Sequence, residues 1–155
     1  MQKIKVLIVD DHKVTQKLLE QSLQDDIFEK KIAEDGKFAL DYYHEWKPDI
    51  ILLDILLPVI SGYSVLKEIR LKDNDKSTAI IVVSSLMEKA DIMDCAKLGI
   101  QGYIVKPINF KEICRKVIEY FIKAYPERAT EAAGLVNLIK DKPAAEEKND
   151  PQGAG

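Results

Sequence analysis

The chain has 155 residues, 46% of them hydrophobic and 32% charged, with a net charge of −3. That suits one ordinary domain with a tail, and the lack of a basic excess argues against nucleic-acid binding by this chain alone. No apolar run approaches the roughly 20 residues of a membrane span, and the run Val6 to Val9 is too short for a signal segment, so the expectation is a cytoplasmic protein with no membrane role.

In chain order, Lys5 to Val9 is a β-branched-rich run, as a strand buried on both faces should be. Asp11 to Gln24 carries Val14, Leu18, Leu19 and Leu23 at helical spacing. Lys31 to Ala33 reads as a short, weak strand. Phe38, Ala39 and Tyr42 fit a second helix that closes before Pro48. Asp49 to Leu53 is a second strong apolar run, and Tyr63, Leu66, Ile69 and Arg70 follow at helical spacing. Ala79 to Val83 is a third strong run. Ile92, Cys95, Ala96 and Leu98 return to the helical period, with Gly99 as its stop. Gly102 to Val105 is a last strand, and Asn109 to Ile122 a last helix, with Asn109 and Glu112 at capping-box spacing.

Strand then helix, repeated, predicts an α/β fold: a doubly wound, five-stranded parallel sheet with helices on both faces. In such sheets ligands bind at the carboxyl ends of the strands, where strand order reverses. The expected domain covers 1–124. The extension 125–155 could form a helix over 126–141, weakened by Gly134, and the Pro-, Ala-, Glu- and Lys-rich stretch 142–155 reads as disordered. Cys95 and Cys114 form no spaced framework and read as small buried thiols.

The strand ends carry the polar residues: Asp10 and Asp11, then Asp54, then Ser84 and Ser85, then Lys106 and Pro107. A single aspartate there is commonly a helix cap. Three carboxylates on one edge repel one another, by about 4 kcal/mol per pair at about 4 Å and an effective dielectric near 20. Lys106 is placed to answer them, and a divalent cation with hard oxygen ligands, Mg²⁺, resolves the rest of the imbalance. Ser85 and Glu88 have capping-box spacing, which assigns Ser85 to the start of the fourth helix and leaves Ser84 free to face the site. His12 reads as a loop residue facing solvent that could face the metal. His44 reads as a surface residue, and Trp46, Met87 and Met93 as packing.

The pieces Val-Asp10-Asp11, Leu-Leu-Asp54-Ile-Leu-Leu-Pro58, Ser61-Gly62, Val-Val-Ser84-Ser85 and Tyr103-Ile-Val-Lys106-Pro107 occur in order. On these the sequence resembles the receiver domains of two-component response regulators, from residue 3 to about 123. The resemblance implies a flavodoxin-like three-layer sandwich that works as a signalling switch. Asp54 would accept a phosphoryl group from a sensor histidine kinase or a histidine phosphotransfer protein. Asp10 and Asp11 would hold Mg²⁺ with Asp54 and the backbone carbonyl of Leu56. Lys106 would pair with Asp54 at rest and with the phosphate afterwards. Ser84 would move to bind the phosphoryl oxygen and Tyr103 would swing inward after it. A cis bond before Pro107 is also implied.

The changed face, of fourth helix, fifth strand and fifth helix, would control a downstream protein. Kinase choice in the family lies on the first helix, here around Val14, Gln16, Lys17 and Leu18. Leu56 and Leu86 depart from the polar residues that orient water, which implies slow self-dephosphorylation. Ser61 replaces a commoner acid. Two other readings compete: a degenerate receiver acting only as an interaction module, and a haloacid-dehalogenase-like phosphatase, which needs an acid where Leu56 stands. The extension could dock on the domain, mediate homodimers or begin a linker to a longer chain.

Overall fold

Apolar runs too short for helices and rich in Val and Ile become five strands, and the amphipathic stretches between them become helices. The computed structural model describes residues 2–132 together with Gly134 and Asn137. The elements are β1 (Ile4–Val9), α1 (Lys13–Ser22), β2 (Phe28–Ala33), α2 (Gly36–Trp46), β3 (Ile50–Leu53), α3 (Gly62–Lys67), β4 (Ala79–Ser84), α4 (Lys89–Leu98), β5 (Gly102–Val105) and α5 (Phe110–Ala124). A π-helical turn, Glu68–Lys72, prolongs α3. A 3₁₀ turn, Pro126–Arg128, follows α5 and leads into helical backbone at 129–132, 134 and 137.

All strand pairs are parallel, in the order β2-β1-β3-β4-β5. The order reverses between β1 and β3. Val9 lies opposite Leu53, so the next residues, Asp10 and Asp54, emerge side by side.

Successive strand residues feed two cores. Ile4, Val6 and Ile8 pack with Leu19 and Leu23 of α1 and with Ile113, Val117 and Phe121 of α5. Leu7 and Val9 pack with Leu40 and Tyr43 of α2, Val65 and Leu66 of α3, and Cys95 of α4. Burial on both faces is why β1, β3 and β4 read as unbroken apolar runs. Cys95 and Cys114 are both buried, one in each core, and both are free thiols.

Several expectations need correcting. The strand β2 starts at Phe28, earlier than its pattern suggests, because an edge strand tolerates polar residues: Glu29 is exposed and Lys30 and Lys31 are half-buried. The buried stripe of α1 is Gln16 and Leu19, followed by Leu23, whereas Val14 is 72% exposed. Ser85 does not cap α4. That helix starts at Lys89 behind Glu88, without a side-chain cap, because the backbone from 85 to 88 stays outside the helix. Met87 and Met93 are not packing residues, being 70% and 48% exposed.

Other local expectations hold. Gly99 closes α4 at φ +98, and Asn109 caps α5 by accepting from the Lys111 amide. Trp46 packs against the second core with the ammonium of Lys31 5.1 Å from its ring.

After α5 the chain turns back. The Tyr125 hydroxyl donates to the Asp49 carbonyl at 2.8 Å, and Arg128 stacks on Phe121 and reaches the Asp49 carboxylate at 3.3 Å. Ala132 is buried in the first core. The described positions of the expected helix 126–141 are helical; 133, 135, 136, 138–141 and the stretch 142–155 lie outside the described residues. Among the described residues no helix is long and apolar enough to cross a membrane.

Candidate functional site

The carboxyl edge of the sheet brings four strand ends together. Asp10 continues β1, Asp54 continues β3, Ser84 ends β4 and Lys106 follows β5. The Asp54 amide donates to the Val9 carbonyl and the Lys106 amide to the Ser84 carbonyl, which extends the ladder past the strands and fixes the backbones. Asp10, Asp54 and Ser84 are almost wholly buried.

The polar atoms satisfy one another. The Lys106 ammonium donates to Asp10 Oδ2 at 2.7 Å and to Asp54 Oδ2 at 2.8 Å. Asp54 Oδ1 accepts from the Ser84 hydroxyl at 2.9 Å and from the Leu56 amide at 3.0 Å. Asp10 Oδ1 accepts from the His12 amide at 2.8 Å. Burial disfavours the Lys106 ammonium, but its bonds to Asp10 and Asp54 outweigh that and hold its pKa above the ordinary lysine value.

Asp11 stands at the open side of the cluster. Asp10, Asp11, His12 and Asp54 each offer one ligand atom, and these atoms all lie within 4.8 Å of one another. Three carboxylates against one ammonium leave an excess of negative charge. Hard oxygen donors with that excess fit a divalent cation such as Mg²⁺.

Two glycines and a glutamine make the geometry and were not read from the sequence as doing so. A Cβ on Gly62 would sit 2.0 Å from the Asp54 carbonyl oxygen, and one on Gly36 would sit 2.2 Å from the Ile60 carbonyl oxygen. Buried Gln16 donates its amide to the Asp10 carbonyl at 2.6 Å. Its signal was present, as a polar residue on the stripe shared with Leu19 and Leu23.

The remaining expected residues lie around this centre. Leu56 is half exposed at its mouth, while Leu86 packs against the second core. The Tyr103 hydroxyl donates to the Leu86 carbonyl at 2.7 Å, and the Leu86 amide lies 3.4 Å from Ser84 Oγ. Burial raises the Tyr103 pKa. The bond between Lys106 and Pro107 is cis. His12 is largely exposed, yet its ring also faces Asp10 and Asp11. His44 is a surface residue bonded to Asp73 at 2.8 Å.

The profile of the family described as "Response regulator receiver domain" matches residues 6–118. The chain is 40% identical, over 139 residues, to a probable transcriptional regulator, ycf27, of Guillardia theta, covering 88% of this chain and 54% of that protein. It thus spans about half the length of the curated relatives it matches. Among solved structures, it is similar to the signal receiver domain of a putative Luxo repressor protein from Vibrio parahaemolyticus, with a TM-score of 0.75, 27% identity, and coverage of 84% of this chain and 98% of that one. It is also similar to the phosphorylated cyanobacterial phytochrome response regulator RcpA, with a TM-score of 0.69, 28% identity, and coverage of 78% and 95%.

Proposed function

This chain belongs to the response regulator receiver domain family of two-component signalling, and from that premise we propose that Asp54 is its phosphoryl acceptor and Ser84, Tyr103 and Lys106 its switch. The observation that carries this reading is Asp54 itself: a buried carboxylate at the strand-order reversal, ion-paired with Lys106 and bonded to the Ser84 hydroxyl. Such a domain is regulatory rather than a conventional enzyme.

An Asp54 oxygen forms a new O–P bond as the donor's N–P bond breaks, and the donor imidazole regains a proton. The donor is a phosphohistidine on a sensor histidine kinase or a histidine phosphotransfer protein. Lys106 keeps its ammonium within reach of the phosphoryl oxygens. Asp10 and Asp11, with Asp54 and the Leu56 backbone carbonyl, would hold Mg²⁺, which offsets the negative charge of the transferred group.

Phosphorylation adds a charge of about −1.5 to −2 at neutral pH. The Ser84 hydroxyl leaves Asp54 for a phosphoryl oxygen. Because the Leu86 amide faces Ser84 and its carbonyl holds Tyr103, that motion pulls on the 85–88 segment and on β5 together. A partner protein then reads the face of α4, β5 and α5. A phosphatase of the haloacid-dehalogenase kind needs an acid where Leu56 stands, and is not favoured.

Intact mass after incubation with acetyl phosphate and Mg²⁺ tests the reading. The expected result is gain of one phosphoryl group, absent in Asp54→Ala and in a metal-free control. No gain under any condition would turn the reading to an interaction module independent of phosphorylation.

A further inference from the structure

His12 Nδ1 lies 3.3 Å from Asp10 Oδ1 and 3.2 Å from Asp11 Oδ1. An imidazole nitrogen and carboxylate oxygens do not approach so closely lone pair to lone pair. Either the hydrogen of an Nδ1–H group or a metal ion belongs between them. Two atoms bonded at about 2.0–2.1 Å to one ion stand about 2.8–3.0 Å apart at adjacent octahedral corners and about 3.3–3.4 Å apart at tetrahedral ones. Both His12 separations fall between those values.

The ring is also free for such a role. His12 occupies the cap position of α1 but its side chain makes no capping bond. Its amide is bonded to Asp10 Oδ1, which ties the loop to the acid it faces. Packing does not account for the orientation, because the side chain is 67% exposed.

Carboxylates and water alone suit Mg²⁺. An imidazole donor shifts preference toward borderline first-row ions, whose affinity rises from Mn²⁺ through Co²⁺ to Ni²⁺. We propose that His12 is a nitrogen ligand of the acidic site and tunes it toward divalent transition ions over Mg²⁺. The proposal rests on the reading above that this site holds a divalent cation.

Calorimetric titration of the full chain with MgCl₂ and CoCl₂ tests it, on the parent protein and on His12→Ala, His12→Asn and Asp11→Asn. The ratio of Co²⁺ to Mg²⁺ affinity should fall about ten-fold or more in both His12 variants, the lower end of what lost metal-site partners cost. The visible absorption of bound Co²⁺ should change with the lost nitrogen. A ratio within two-fold of the parent in both variants, while Asp11→Asn abolishes Mg²⁺ binding, overturns the His12 assignment and leaves the cation site standing. Mg²⁺ binding absent from the parent removes the cation site, and binding that survives Asp11→Asn places the cation away from the acid that His12 faces; either outcome overturns the assignment.

Discussion

Lys106 is the ammonium that lets Asp10 and Asp54 share a buried corner. Removing one partner of a buried pair leaves an uncompensated charge. Lys106→Met should therefore lose up to about 3 kcal/mol of stability in EDTA at pH 7, read by urea unfolding. The sign with pH follows from the raised pKa. A folded value above the unfolded value of about 10.4 makes the contribution complete below that pH and lost only as pH rises through the folded value. The deficit should then be flat between about pH 6 and 9, and a deficit that vanishes within that range would remove Lys106 as the pairing group. Leu56 bears on kinetics instead. Half exposed at the mouth, it offers no polar atom from its side chain to hold an attacking water, and neither does Leu86, which packs against the second core. Asp54 phosphate should decay slowly, and Leu56→Asn should speed that decay several-fold. Decay within seconds that Leu56→Asn leaves unchanged would refute this.

Between β3 and α3 the chain is pinned at Gly62 against Asp54 and at Ile60 against Gly36. In between, Val59 sits at φ +68 with 78% of its surface exposed. A β-branched residue in the left-handed region costs about 1–2 kcal/mol, and this one recovers little by packing. Val59→Gly should raise stability by about 1 kcal/mol in thermal unfolding, and a loss would mean that the Val59 side chain makes a contact worth more than its strain. This strain was not legible beforehand, since Pro58-Val59-Ile60 looks like any apolar loop. The turn before β4 was equally silent. There Asp75 accepts from the Tyr43 hydroxyl at 2.6 Å and from the amides of Ser77 and Thr78. Burial raises its pKa, but these bonds and the Thr78 hydroxyl outweigh burial and hold it well below the usual carboxylate range. A depressed folded pKa gives stability present above the unfolded value, about 3.9, and lost as pH falls toward the folded one. Asp75→Asn should therefore destabilise at pH 7 and fall closer to the parent as the pH drops from about 5 to 3. A gap that stays constant would mean that the carboxylate charge is irrelevant there.

Across the whole molecule, the strands buried on two faces were legible because burial demands unbroken apolar runs. The acidic corner was legible because each member directly follows or ends such a run. Edge strand β2 and the helix start at Lys89 were misplaced, since an open edge and an uncapped helix impose little on composition. The return of the chain after α5 was one of three alternatives open for the extension, and its contacts were not legible for another reason. It is made by single residues from distant positions: Tyr125 and Arg128 meeting Asp49, and Ala132 reaching the first core. Burial pushes the Tyr125 pKa up to about 12, as an aromatic hydroxyl sealed against a carbonyl should be. Asp49 precedes β3 and Asp54 follows it, so this contact lies at the opposite edge of the sheet from the acidic site. Stability and phosphorylation should therefore separate on truncation. A chain ending at Ala124 loses the half-buried Tyr125 ring with its hydrogen bond and the buried Ala132, together about 2–3 kcal/mol. At this chain length that is a fall in Tm of roughly 4–12 °C. Its uptake of one phosphoryl group from acetyl phosphate should persist at temperatures where it remains folded. An unchanged Tm would make the segment a passive linker, and loss of phosphorylation in the folded truncated chain would mean that the two edges of the sheet are coupled.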